Sequence, residues 1–190
     1  MSDTTTDTPA IVDLVGDARE RAIPALKESF TGIYRWHAKR TLRDIPTVRA
    51  IERDGEIVGA ALLEMLTPEV GYVYYLFVAS GSRRRGIGAA LLDDALERFV
   101  RANAVVAYAA CEEENDRSLA LFRSRGFREV GRDERGFRDG GLGAWGFRRR
   151  MWLVSGEVLL GRRLDGPTPA PVPVRGPAPS RGARRSDGGG

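Results

Sequence analysis

The chain reads as an α/β fold built on a mixed, mostly antiparallel central sheet flanked by helices, and three stretches carry that reading. Thr47–Arg53 and residues 56–65 are strand-like runs joined by Asp54-Gly55, the dipeptide best suited to a tight hairpin turn. Val70–Val78 is a third run, dense in Val, Tyr and Phe, which extends the hairpin into an antiparallel meander. The period then changes. Over Ile87–Arg101, Leu91, Leu92, Leu96, Phe99 and Val100 recur at helical spacing, with Asp93, Asp94, Glu97 and Arg98 on the opposite face. A further strand comes next at residues 105–111. A helix between two strands makes them parallel neighbours joined by a right-handed crossover, so residues 70–78 and 105–111 are expected side by side.

The remaining elements can be taken in order. Residues 11–15 form a short strand ended by Gly16-Asp17, with Asp17 placed to cap the helical segment after it. Residues 18–43 are helical in pattern, with Ile23, Leu26, Phe30, Ile33, Tyr34, His37 and Leu42 as inward positions, and Thr31-Gly32 divides them into two helices. Pro24 belongs in a first turn or at a kink, and Asp44-Ile45-Pro46 ends the second helix. Thr67-Pro68-Glu69 turns the chain into the third meander strand. Asn115-Asp116 opens a helix over residues 118–125 that Gly126 closes at C′. Residues 127–130 and 151–154 read as two more strands separated by the Gly- and Arg-rich stretch 131–150, and residues 156–163 either continue the last strand or pair with it.

A chain of 190 residues suits one substantial core. Residues 11–165 are assigned to it, after a flexible polar start at 1–10 and before a Pro-, Gly- and Arg-rich tail at 166–190 that has no periodic apolar face and is expected to be disordered. No stretch is apolar enough to span a membrane, and the amino-terminal residues resemble neither a secretory signal nor a transit peptide, so a cytoplasmic protein, monomer or homodimer, is expected. Cys111 is the single cysteine and His37 the single histidine, which argues against a disulfide and against a metal site on those ligands. The formal net charge is +4, but the tail holds four arginines and one acid, leaving the rest near neutral. Nucleic acid is therefore not the expected partner.

Where the third meander strand meets the Ile87–Arg101 helix, the chain reads Arg83-Arg84-Arg85-Gly86-Ile87-Gly88-Ala89. Glycines without Cβ let the backbone bend so that an anion can approach its N–H groups, and the helix start adds unpaired N–H groups and a positive dipole end. Three arginines supply charge-assisted contacts. The stretch is a phosphate cradle by local chemistry. It is not a mononucleotide P-loop, since no Lys-Ser/Thr comes after it, and it fails the dinucleotide fingerprint, since Leu91 stands at the third glycine position.

The pattern Arg83-x-x-Gly86-x-Gly88, with Val78 five positions before the arginine, resembles the acetyl-CoA pyrophosphate loop of the GNAT superfamily of N-acyltransferases. The segment from Asn115 through Leu121, Phe122 and Gly126 to Phe127 is similar to that superfamily's second signature, Asn-x-x-Ala-x-x-Leu-Tyr-x-x-x-Gly-Phe, and the element order from Ile11 to Leu164 is similar too. The resemblance implies a sheet whose fourth and fifth strands splay apart. Acyl-CoA would lie in the opening, its pantetheine bonded to backbone near Phe77 and Val78 and its pyrophosphate on Arg83, Arg84, Arg85, Gly86, Ile87, Gly88 and Ala89. Asn115 would contact the pantetheine, or serve as a plain helix cap. The implied activity is transfer of an acetyl group from acetyl-CoA to a primary amine, on a small molecule or a peptide, by direct attack in a ternary complex. The alternative is a non-catalytic acyl-CoA-binding or interaction module on the same fold.

Two departures from the family bear on catalysis. The tyrosine that often protonates the departing thiolate is Phe122 here, which has no proton to give. Tyr108, on the adjacent strand, is the candidate acid in its place, with core packing as the alternative. The second departure concerns the base, which is needed because an alkylammonium of pKa about 10.4 must lose a proton before attack. A glutamate found in part of the family five residues before the motif asparagine is Ala110 here, and where some members carry a fourth-strand glutamate this chain has Tyr72 and Tyr74. Glu112 shares the face of Ala110 on an extended strand and is the candidate base. Glu113 and Glu114 read as a solvated acidic turn before the next helix. His37 is read as structural with a possible substrate role, and Cys111 as a small strand hydrophobe.

Overall fold

Asp54 and Gly55 both take positive φ, 51° and 80°, the conformations that a two-residue hairpin turn of the primed type requires. This turn pins β2 (Thr47–Arg53) against β3 (Glu56–Thr67), and β4 (Val70–Val78) runs back antiparallel along β3. β1 (Ile11–Asp13) pairs antiparallel with the outer edge of β2. The computed structural model describes residues 10–130 and 156–164. The expected strand at 151–154, the stretch 131–150, the start at 1–9 and the tail from 165 lie outside the described residues.

After β4 the chain makes a 3₁₀ turn at Ser80–Ser82 and enters α3 (Ile87–Arg101), which crosses over the sheet and delivers β5 (Val106–Glu112) parallel to β4, as the alternation of strand and helix patterns predicts. α4 (Asp116–Ser124) comes next, and Gly126, at φ 79°, takes the left-handed position after its end. β6 (Arg128–Glu129) is shorter than the run expected at 127–130. β7 (Glu157–Arg163) inserts between β5 and β6, antiparallel to both. Among the described residues the sheet has seven strands in the order β1-β2-β3-β4-β5-β7-β6.

Helices cover both faces. On one, Leu91, Leu92, Ala95, Leu96 and Phe99 of α3 are buried against Ile51, Ala61, Leu63, Val73, Ala107 and Ala109. Each leucine removed from water there stabilises the fold by roughly 1.5–3 kcal/mol. The opposite face carries α1 (Ile23–Ser29) and α2 (Gly32–Asp44), whose Ala25, Leu26, Ala38 and Leu42 bury against Ala50, Ala60, Leu62 and Phe77. Pro24 sits in the first turn of α1, where no N–H is needed. Two expectations fail here. Asp17 caps nothing: it lies inside a 3₁₀ segment, Gly16–Ala22, that starts one residue earlier at a glycine with φ 52°. Ile33 is 60% exposed: the inward stripe of α2 is Tyr34, His37, Ala38 and Leu42, so Tyr34, His37 and Leu42 hold their expected positions and Ile33 falls outside the stripe.

Arg49 on β2 clamps the α3 layer onto the sheet. Its Nε and Nη2 donate to both carboxylate oxygens of Asp94 at 2.7 and 2.8 Å, with the two side chains only 11% and 13% exposed.

Candidate active site

Two features of β4 make a cleft in the middle of the sheet. The β4–β5 ladder runs from Val70↔Val106 to Val73↔Ala109 and stops, while β4 continues to Val78 and β5 to Glu112. The strands therefore diverge, as the resemblance implied. In addition, the β3–β4 register shifts so that Leu62 pairs with Tyr75 and Leu63 with Val73, leaving Tyr74 as an extra residue. The extra residue reverses the alternation: Val73 and Leu76 face α3, whereas Tyr74 and Tyr75, adjacent in sequence, both face α1 and α2. Two consecutive tyrosines thus line the cleft. Tyr34 and His37 of α2, Ala110 and Glu112 of β5, Asn115 and Phe122 of α4, and Glu157 of β7 complete its wall.

The arginine-glycine loop closes the α3 end of this opening. Arg83, Arg84 and Arg85 are exposed. Gly86, the residue before α3, has φ 76°, and Arg84 is also left-handed at 60°. A Cβ at Gly88 would stand 3.3 Å from Leu121 and 3.5 Å from Leu76, so this glycine lets the first turn of α3 sit close against α4 and β4. The Ile87 side chain is buried core, which leaves the N–H groups of Ile87, Gly88 and Ala89 as what this turn offers an anion. The preceding turn is held by Glu28, whose carboxylate accepts from the Ser80 N–H and hydroxyl, both at 2.8 Å; these bonds keep the Glu28 carboxyl below its usual range. Phe77 is buried under α1, and the Val78 carbonyl accepts from Arg83 Nε at 3.1 Å and Ser29 Oγ at 3.2 Å.

Asn115 caps α4, its Oδ1 accepting from the Ser118 N–H at 3.1 Å, while it also borders the cleft. The cap reading and the cleft position hold together, since capping occupies Oδ1 and not the amide NH₂. Phe122 packs edge-on against Phe127, with ring centroids 5.1 Å apart, in the cleft wall where the related signature has a tyrosine. Tyr108 lies elsewhere. It is 6% exposed in a cluster with Leu66, Val70, Tyr72, Val106 and Leu159, and it is not among the residues lining the cleft. Glu112 does line it, at the exposed end of β5.

Electrostatics centre on a residue that sequence reasoning missed. Glu157 is the register partner of Glu112 and receives a hydrogen bond from the Tyr34 hydroxyl. Burial first, then the charges of Glu157 and Glu112, push the Tyr34 phenol up to about 12. Burial also raises Tyr72 and Tyr75, again with Glu157 adding to it. The Cys111 thiol is pushed up to about 11, chiefly by burial, so no thiolate is available there at neutral pH. His37 is held below its ordinary value by burial and by Arg40, and is neutral at pH 7.

Comparison with known proteins agrees with this geometry. Over 98 residues the chain is 39% identical to the N-alpha-acetyltransferase RimI of Mycobacterium tuberculosis, a match that takes in 50% of this chain and 60% of that protein. The fold is similar to that of the ribosomal-protein-S18-alanine N-acetyltransferase of Escherichia coli, with a TM-score of 0.63 at 15% identity over 84% of this chain and 96% of that one. It is also similar to a GNAT family acetyltransferase of Elizabethkingia anophelis solved with acetyl-CoA bound, with a TM-score of 0.61 at 15% identity over 83% and 99% of the two chains. Residues 13–127, from the end of β1 through the arginine-glycine loop to the Gly-Phe after α4, match the Acetyltransferase (GNAT) family, and the chain belongs to it.

Proposed function

We propose that the protein moves an acetyl group from acetyl-CoA to a primary amine by direct attack in a ternary complex. One observation supports this reading: the opening between β4 and β5 has three exposed arginines and the first turn of α3 at one end and carboxylates in its wall, which suits an anionic donor and a cationic acceptor. Arg83, Arg84, Arg85, Gly86 and the N–H groups of Ile87, Gly88 and Ala89 hold the pyrophosphate. The backbone near Phe77 and Val78 and the amide of Asn115 hold the pantetheine, and N–H groups of β4 beyond Val73, with no β5 partner, polarise the thioester carbonyl. Glu112 draws the acceptor ammonium to the cleft and serves its deprotonation. The amine nitrogen then bonds to the carbonyl carbon, the C–S bond breaks, and the sulfur leaves beside Phe122 with a proton taken from the attacking nitrogen.

The likeness to an N-alpha-acetyltransferase supports a peptide or protein N-terminus as acceptor. An α-amine of pKa about 7.7–8.0 is also far more easily deprotonated than a lysine side chain at about 10.4. A cytoplasmic setting goes with this reading. Phe122 favours a second one, an acyl-CoA-binding module without turnover. Calorimetry with acetyl-CoA, joined to a screen of CoA release over amines, amino acids and peptide N-termini, separates the two. Binding should weaken at least about tenfold in Gly86→Glu and in the exposed pair Arg84→Ala/Arg85→Ala. Undiminished binding in both overturns the donor site, and binding without CoA release on any acceptor selects the second reading.

A further inference from the structure

Glu157 has no counterpart in either sequence motif, yet it stands deeper in the cleft than Glu112. It opens β7, and its Cα pairs with that of Glu112 across the β5–β7 ladder, so both side chains leave the same face of the sheet. That face is the one under α1 and α2, because Leu159, two residues on, buries beside Tyr72 and Tyr108. Glu112 is exposed at the rim, where it also borders an open depression with Glu113, Glu114 and Arg117, whereas Glu157 is half-buried within the cleft. The Tyr34 hydroxyl, coming from α2, donates to the Glu157 carboxylate. A donor bound to a carboxylate oxygen fixes the orientation of the group.

We propose that Glu157 takes the proton from the acceptor ammonium, that Tyr34 positions its carboxylate, and that Glu112 at the rim passes the proton to solvent. The proposal rests on the acetyl-transfer reading. In the step, an N–H bond of R–NH₃⁺ breaks, the proton goes to a Glu157 oxygen, and the electron pair left on nitrogen is the one that attacks. The Glu157 carboxylic acid then returns its proton by way of Glu112 to water, restoring the carboxylate. Among the described residues, the titratable groups whose charges couple to Glu157 are Tyr34 from α2, Tyr72 and Tyr75 from β4 and Cys111 from β5, with Glu112 as its register partner and His37 in the same cleft wall. Apart from Glu112 these are neutral at pH 7, and among the described residues Glu112 and Glu157 are the carboxylates of the cleft wall.

The test is steady-state kinetics of the full chain with a peptide acceptor across pH 6–9, run beside calorimetry with acetyl-CoA. Glu157→Gln should lower kcat by about 100-fold or more near pH 7, with the residual rate rising with pH as the acceptor deprotonates in solution, while acetyl-CoA affinity is unchanged. Glu157→Asp should recover part of the rate. Glu112→Gln should cost about tenfold, and Tyr34→Phe should lower kcat while keeping the wild-type form of the pH profile. Wild-type kcat and pH profile in Glu157→Gln, with an active wild type, overturn this proposal alone. Loss of acetyl-CoA binding in Glu157→Gln assigns the residue to structure and overturns it too. A wild type that releases CoA on no acceptor overturns the acetyl-transfer reading along with it.

Discussion

The Tyr75 hydroxyl lies 2.7 Å from Nδ1 of His37, and this contact joins the splayed strand to α2, which walls one side of the cleft. It exists because the bulge at Tyr74 turns Tyr75 toward α2 rather than α3. Burial keeps the Tyr75 phenol protonated and keeps His37 neutral, so the phenol can donate to the imidazole lone pair. Phe30 braces the Tyr75 ring edge-on at 5.1 Å.

Protonating His37 would replace the accepting lone pair with a second donor. Its folded-state pKa lies below the ordinary 6.5, so the unfolded chain binds its proton first as pH falls. Stability should therefore drop as pH falls through 6.5 and level off below the folded pKa. Thermal melts at pH 7.5 and 5 should show a smaller loss for His37→Gln than for the wild type; an equal loss would mean that other groups carry the acid sensitivity.

Cys111 is buried, its thiol is raised to about 11, and Sγ stands 4.0 Å from the Asn115 carbonyl. Direct attack by the amine needs no covalent intermediate on the enzyme. Cys111→Ala should keep kcat within about threefold of wild type and lose only the small stability of a removed sulfur. A dead but folded Cys111→Ala enzyme would contradict direct transfer.

The parts of this fold written in local pattern were legible beforehand: the Asp54-Gly55 hairpin, the α3 stripe, the parallel crossover to β5, and the break at Thr31-Gly32. The place of the arginine-glycine loop, between β4 and the first turn of α3, was legible because its glycines stand where an apolar strand pattern gives way to a helical one. The bulge was not, since Tyr72-Val73-Tyr74-Tyr75 satisfies a strand pattern with either of the last two residues turned in, and only pairing with β3 decides the register. Glu157 was missed for a related reason. Its strand pairs with β5, some 45 residues away along the chain, and no short-range signal chooses β5 over a continuation of the preceding run. Tyr108 was misjudged as a cleft residue because adjacency to β4 holds only up to Val73↔Ala109, and its ring lies beneath that paired part.

Gly71 sits under the Phe99 ring, where an added Cβ would come within 2.5 Å of ring carbons. Phe99 is buried and cannot swing outward, so Gly71→Ala should destabilise the protein by about 1–3 kcal/mol. Adding Phe99→Leu should cost less in the Gly71→Ala background than in the wild type, because the smaller side chain relieves the overlap. Urea unfolding of the four variants measures the coupling, and strict additivity would show that the sheet shifts instead.

Removing Asp94 would leave Arg49 buried with the more exposed Asp13 as its remaining acid, 3.0 Å from Nη1. Asp94→Asn keeps the shape and deletes the charge. It should cost about 2–3 kcal/mol in urea unfolding with an unchanged m-value. A loss under about 0.5 kcal/mol would place this pair with ordinary surface bridges.

Tyr108 provides the sharpest check on the proton path. A Cβ added at Gly161, its register partner on β7, would stand 2.8 Å from the Tyr108 ring, so the ring lies flat over that glycine in the cluster with Tyr72 and Leu159. Tyr108 is buried and absent from the cleft lining that holds Phe122, so its hydroxyl is poorly placed to protonate a thiolate leaving there. Tyr108→Phe keeps the ring and deletes only the oxygen, so kcat should stay within about threefold of wild type at every pH, whereas removal of a true general acid costs about 100-fold or more. If Tyr108→Phe loses that much while its melting temperature and acetyl-CoA affinity hold, the cluster must open during turnover, and Tyr108 regains the role of acid that its strand position first suggested.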